Sequence, residues 1–138
     1  MINVVIDTNV LISALRSNRG ASFKLVSLIG TGKFEISLSV PLLLEYEDVC
    51  KRKKFDHLID TDIDDLLNFI CRVADKRNIF FLWRPLLKDP KDDMVLELAV
   101  EADCKYIITY NIDDFKGIEK FDVEAITPKQ FLIKISEL

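Results

Sequence analysis

Residues 4–9 read VVIDTN, and the whole chain can be read outward from this stretch. Val4, Val5 and Ile6 form an unbroken apolar run. Such a run marks a strand covered on both faces, as in a parallel sheet, rather than one that alternates between core and water. An ionised aspartate, Asp7, follows at once. Carboxylates are seldom buried without a partner. The end of this strand, predicted over 3–7, therefore needs either local backbone amides or a cation to satisfy it.

The remaining elements alternate. A helical turn over 11–16 and a helix over about 21–30, stopped by Gly30 or Gly32, precede a second strand, FEISLS at 34–39. Ser39 then caps a helix with Pro41 in its first turn, running through LLLEYEDVCKRKKF with Leu42, Tyr46, Val49 and Lys53 on one stripe. Asp60 or Thr61 opens another helix to about Lys76, with Leu66, Leu67, Phe69, Ile70 and Val73 on its buried side. NIFFLW (78–83) reads as a third strand. The strongest start signal is LKDPKDD: Asp89 fits the N-cap, Pro90 the first helical position and Asp92 the third, with Val95, Leu98, Ala99 and Ala102 facing the sheet. KYIIT (105–109) and VEAI (123–126) supply the last two strands, and TPKQ (127–130) opens the final helix as a capping box. Strands separated by helices imply βαβ units, hence a mostly parallel sheet flanked by helices. No repeat, linker or low-complexity segment divides the chain, so residues 1–138 read as one domain.

Composition narrows the function classes. A chain of 138 residues can bury about 70% of its unfolded surface. Its 49% hydrophobic and 30% charged residues are those of an ordinary globular protein, and no apolar stretch approaches the roughly 20 residues of a membrane span. The start, MINVVID, lacks the pattern of a signal peptide, so a cytoplasmic location is expected, with Cys50, Cys71 and Cys104 as buried thiols. A net charge of −4 argues against binding nucleic acid through a broad basic surface, but a carboxylate site loaded with metal inverts its own local charge. The four glycines build neither a P-loop nor a dinucleotide-binding turn.

Ligands of open parallel sheets bind beyond the carboxyl ends of the strands, at the switch in strand order. Four separate segments can deliver acids to that edge: Asp7 after strand one, Glu45 in the helix after strand two, Asp93 in the first turn of the helix before strand four, and Asn111, Asp113 and Asp114 after strand four. Of the adjacent pair, Asp92 suits the capping box, which leaves Asp93 as the candidate ligand. Clustered carboxylates raise one another's pKa, and a hard divalent cation relieves this. Oxygen-only ligands without histidine suit Mg²⁺ or Mn²⁺, which could activate water for in-line attack on a phosphodiester. Thr8, Asn9 and Thr109 are short polar groups able to orient Asp7 or to serve only their own turns. Arg16, Lys88 and Lys91 are candidate RNA contacts. The KRKK run at 51–54 can meet phosphates or simply complement a helix dipole. Phe80, Phe81 and Trp83 suit a core or a subunit interface better than base stacking.

These residues carry a family resemblance over nearly the whole chain. VVIDTNVLISAL (4–15), SVPLLLEYEDV (39–49) and DPKDDMVLELAVEADCKYIITYNIDDF (89–115) resemble the motifs of PIN-domain proteins, in particular the toxin components of toxin–antitoxin systems. The resemblance implies a three-layer α/β/α sandwich with a five-stranded, mostly parallel sheet in the order 3-2-1-4-5. It implies a Mg²⁺- or Mn²⁺-dependent endoribonuclease with Asp7, Glu45 and Asp93 as its acidic core, a homodimer, and a small antitoxin as partner. Where the family often writes its fourth motif as T-x-D, this chain has Thr109-Tyr110-Asn111, with Asp114 three residues on, so either Asn111 or Asp114 completes the set. Two other readings compete: a PIN fold that binds RNA or protein with little or no cleavage, and, remotely, a receiver-like phosphoacceptor domain. The latter wants an acceptor Asp ending strand three and a Lys after strand five, and neither is present.

Overall fold

The computed structural model describes residues 1–79 and 87–138. Its elements are β1 (Asn3–Ile6), α1 (Thr8–Arg16), α2 (Ala21–Ser27), β2 (Glu35–Leu38), α3 (Val40–Lys53), α4 (Asp60–Val73), β3 (Asp75–Lys76), α5 (Pro90–Glu101), β4 (Tyr106–Ile108), β5 (Glu124–Ile126) and α6 (Pro128–Lys134). Two 3₁₀ turns, Ile112–Phe115 and Ile118–Phe121, lie between β4 and β5. The sheet runs β3-β2-β1-β4-β5 with every pair parallel, and helices cover both faces to make an α/β/α sandwich. That is the 3-2-1-4-5 order, distinct from the 2-1-3-4-5 order of receiver-like folds.

The apolar run Val4–Ile6 lies at the centre of the sheet. Val4 and Val5 are fully buried, with Val4 in register with Ile36 on one side and Tyr106 on the other. Because β1 stands between β2 and β4, the chain order switches beside it, and the crevice at its carboxyl end is where Asp7 and Thr109 emerge. Helix α5 is buried on most of its circumference: Val95, Leu96, Leu98 and Ala99 are all inside, together with Asp93 and Glu97. A helix with apolar residues all round belongs in a core rather than on a surface. Helix α6 closes the far side. Phe131 is fully buried, with its ring edge-on to Phe34 at 5.2 Å and to Tyr106 at 5.9 Å.

Three local differences from the sequence expectation have physical causes. Helix α1 begins at Thr8, a turn earlier than expected, because Asp7 caps it: the Asp7 carboxylate accepts from the Thr8 amide. The third strand is Asp75–Lys76 rather than 78–83, and it falls where α4 was expected to continue. The helix breaks at Ala74, which is extended, and the next residues pair with β2, Ser37 opposite Asp75 and Leu38 opposite Lys76. Pairing rather than β propensity makes this strand, and its two charged residues suit a sheet edge. Of the expected strand, Asn78 and Ile79 lie outside any strand and 80–83 lie outside the described residues. Finally, Phe69 is 36% exposed rather than buried, with the covered part of its ring against Gly30. Gly30 has a φ of +82°, and a Cβ there would stand 3.0 Å from the Phe69 ring. Cys50 and Cys104 are buried, with burial pushing both thiols up to about 11, while Cys71 is only half-buried.

Candidate active site

The turn after β1 puts Asp7 under tight control. Its Oδ1 accepts from the Thr8 amide at 2.8 Å, and its Oδ2 accepts from the Thr109 hydroxyl at 2.8 Å and from Asn9 Nδ2 at 3.4 Å. Thr109 is fully buried at the end of β4, and its oxygen also accepts from the Asn111 amide at 3.0 Å. Asn9 ties the two strand ends together, donating to Thr109 and accepting from the Tyr110 amide, both at 3.3 Å. Behind the turn, the buried Tyr46 hydroxyl donates to the Ile6 carbonyl. Burial raises the pKa of Asp7 above the ordinary carboxylate value. The bonds from Thr109 and Thr8 oppose that, and the nearby charges of Glu45 and Asp114 add to it.

An open cleft of about 500 Å³ lies in front of Asp7. Thr8, Asn9 and Arg16 from α1, Glu45 from α3, Asp92 and Lys91 from α5, and Asn111 and Asp114 after β4 all line it. Glu45 is half-buried and held by the Thr8 hydroxyl, which donates to Oε2 at 3.0 Å, and by Lys91, whose Nζ lies 3.3 Å from Oε1. Asp92 is the most perturbed of these carboxyls: it is pushed up to about 7, first by desolvation and then by the charges of Asp7, Asp89, Asp114 and Asp93.

The pair at the start of α5 divides its tasks. Asp89 is the N-cap, accepting from the Lys91 amide at 2.9 Å. The Asp92 carboxylate faces the cleft instead of turning back to the cap, and accepts no hydrogen bond among the described residues, while its amide donates to the Asp89 carbonyl at 3.0 Å. Asp93 is buried behind the helix, and its Oδ1 accepts from the Leu87 amide at 3.0 Å. The cleft therefore brings together Asp7, Glu45, Asp92, Asn111 and Asp114, but not Asp93 or Lys88. Two residues not expected in the site also line it, Asp89, foreseen only as an N-cap, and Tyr110. Tyr110 is 46% exposed, with its hydroxyl 2.5 Å from Ser22 Oγ. Its place directly after Thr109 was the one available signal.

The donor set suits a hard cation: it is all oxygen, and burial together with the charges of neighbouring acids raises the pKa of Asp7 and Asp92. As they stand, no three carboxylate, imidazole or thiol groups among the described residues are close enough together to hold one ion. Lys91 occupies part of the space by pairing with Glu45.

Comparison with known proteins agrees with this arrangement. The family described as "PIN domain" matches residues 3–113, which reach into all four acidic segments. Twelve chains of solved structures match. One of them, from VapBC2 of Rickettsia felis bound to a DNA fragment from their promoter, superposes with a TM-score of 0.60 at 14% identity, covering 90% of this chain and 98% of that one. At that identity the likeness concerns the fold. No curated protein matches.

Proposed function

Since the chain belongs to the PIN-domain family, we propose that it is a metal-dependent endoribonuclease and the toxin component of a toxin–antitoxin pair. The observation that carries this reading is the convergence of Asp7, Glu45, Asp92 and Asp114, from four separate segments, on one cleft at the switch point of the sheet. In this reading Asp7, Glu45, Asp92 and Asp114 would hold Mg²⁺ or Mn²⁺, with Asn111 as a neutral oxygen donor. Asp92 takes the part that the sequence assigned to Asp93, since it is Asp92 whose side chain faces the other acids. The bound ion supplies activation of a water and neutralisation of the charge that develops on the phosphate.

The chain's own residues do the rest. Thr8, Asn9 and Thr109 fix Asp7 in one orientation, so no reorganisation is needed when substrate arrives. Thr8 does the same for Glu45. Arg16 and Lys91 flank the acids with positive charge suited to the scissile phosphate's neighbours. Lys91, 62% exposed, can leave Glu45 for a phosphate at small cost. The antitoxin enters this reading as a partner by family. Val40 and Leu44, exposed on α3, offer apolar surface to a second copy of the chain.

A second reading has one observation in its favour. Lys91 neutralises Glu45, and no three acids among the described residues close around an ion, so the fold could bind RNA or protein without cutting it. Incubation of end-labelled RNAs with Mn²⁺, Mg²⁺ or EDTA, alongside Asp92→Asn, separates the two. Metal-dependent cutting that the variant loses supports the nuclease. Intact RNA at every metal concentration, with a folded protein that retains RNA, supports the binding module.

A further inference from the structure

The carboxylate cleft does not end at its acids. Arg16, on its rim, also lines two adjoining cavities. One is formed with Lys53, Lys54 and His57, the other with Arg19, His57 and Phe23. Lys53 is shared between the cleft and the first of these, and His57 between the first and the second. The three cavities thus lie side by side around Arg16, in a series from the acids to the exposed face of α2. Resting on the reading of the cleft as an RNA-cleaving site, we infer that single-stranded RNA flanking the cut runs along them as one groove, with its phosphates on Arg16, Lys53, Lys54 and Arg19 and a base on Phe23.

Three observations carry this. First, the KRKK run divides by its ion-pair partners. Lys51 pairs with Asp64 at 2.7 Å and with Glu47 at 3.4 Å, and Arg52 pairs with Asp48 at 3.0 Å. Lys53 and Lys54, which turn to the groove, have no ion pair among the described residues, and neither have Arg16 and Arg19. A helix dipole accounts for basic residues in the last turn of α3. It does not account for Arg16, from another part of the chain, lining the same cavity as both lysines, or for Arg19 lining the next one beside Arg16. Second, Asp56 is the one acid among the described residues lining either adjoining cavity, in a protein whose net charge is −4. Third, Phe23 is 43% exposed on α2 in the same cavity as Arg19 and His57. An apolar ring set among cations, along a track of phosphate-sized charges, is the chemistry of a sequence-tolerant single-strand site. An acidic protein segment would use the cations and leave the ring without a base.

The test is fluorescence anisotropy of a labelled single-stranded RNA of about 12 nucleotides in Mg²⁺, across a salt series, with Asp92→Asn as the cleavage-suppressed background. Lys53→Gln/Lys54→Gln is expected to weaken binding about tenfold at moderate salt and to flatten the log–log salt slope by roughly 1.4, at about 0.7 for each phosphate no longer neutralised. Phe23→Ala is expected to weaken binding between about fivefold and a hundredfold and to leave the slope unchanged, as removal of one stacked base requires. Lys51→Gln/Arg52→Gln, on the same helix end but facing their acidic partners, is the control and should match the background. Lys53, Lys54 and Arg52 are exposed, Phe23 is 43% exposed and Lys51 is half-buried, so the parent Tm is checked for every variant and binding is compared only among those that keep it. Equal affinity and slope in the groove variants and the control would overturn the inference. So would a groove that takes an acidic peptide such as oligoglutamate while excluding RNA. If the groove variants behave as expected but the unmutated protein cuts no RNA with any metal, the groove stands and the nuclease reading falls.

Discussion

Asp92 and Asp93 are neighbours in sequence with opposite environments, so two near-identical substitutions should separate cleanly. Asp92→Asn removes a charge that faces Asp7 and Asp114 across the cleft. It is expected to cut RNA cleavage by about a hundredfold or more while leaving Tm unchanged or raised, since like charges are thinned. Asp93→Asn, in a buried site that holds the Leu87 amide, is expected to cost about 1–3 kcal/mol in denaturant unfolding. Equal loss of cleavage at unchanged stability in both would mean that Asp93 reaches the cleft. The sequence could not separate the two, because adjacent residues of a helix differ by about 100° in direction. Which one meets the cleft depends on the rotation of α5, and that is fixed by how Val95, Leu96, Leu98 and Ala99 pack against the sheet. Asp7 needed no such knowledge: a carboxylate after a doubly covered strand has few places to go.

The helices opened by Ser39, Asp89 and Thr127 were legible, and β3, which only pairing makes, was not. Ser39, Asp89 and Thr127 each cap the helix they were expected to begin. In contrast, β3 is two charged residues whose strand character comes only from the edge of β2. No local pattern announces it, while the β-prone residues just beyond drew the reading away. The loop after α2 gives an element-scale prediction. Gly30 lies at a φ of +82° and a Cβ would stand 3.0 Å from the Phe69 ring, so Gly30→Ala meets both backbone strain and steric crowding. The substitution should destabilise by about 1–2 kcal/mol in urea unfolding. Phe69→Leu beside it should restore part of the loss, because it removes the ring atom in the way.

At the scale of the molecule, the acid cluster ties stability to pH and, in the proposed reading, to metal. The folded-state pKa of Asp92, about 7, and that of Asp7 both lie above their ordinary values. The folded protein therefore holds more protons than the unfolded chain in that window, and these two groups contribute stability that is greatest at low pH and declines from about pH 4 to about pH 7. Asp92 opens onto the solvent of the cleft, so after screening the loss is on the order of 1–2 kcal/mol rather than the full value of its shift. In chelator, Tm should fall between about pH 4 and 7 and level off above that. Saturating Mg²⁺ should recover it at about pH 8 and change little at about pH 5. Asp92→Asn should flatten both responses; a metal-free protein with a level or rising profile would mean that the acids are not coupled as the geometry has them.

Helix α6 has a practical corollary. The family match stops at residue 113, so a fragment trimmed there would keep Asp7, Glu45, Asp92 and Asn111 and look like a nearly complete minimal enzyme. It would also lose β5, leaving β4 as an open edge, and would uncover the surface that Phe131 and Leu132 now seal beside Phe34 and Tyr106. An unpaired strand beside bare aromatic rings invites self-association. Such a fragment should be recovered as aggregate from expression, whereas the 138-residue chain should elute as a discrete species on a sizing column.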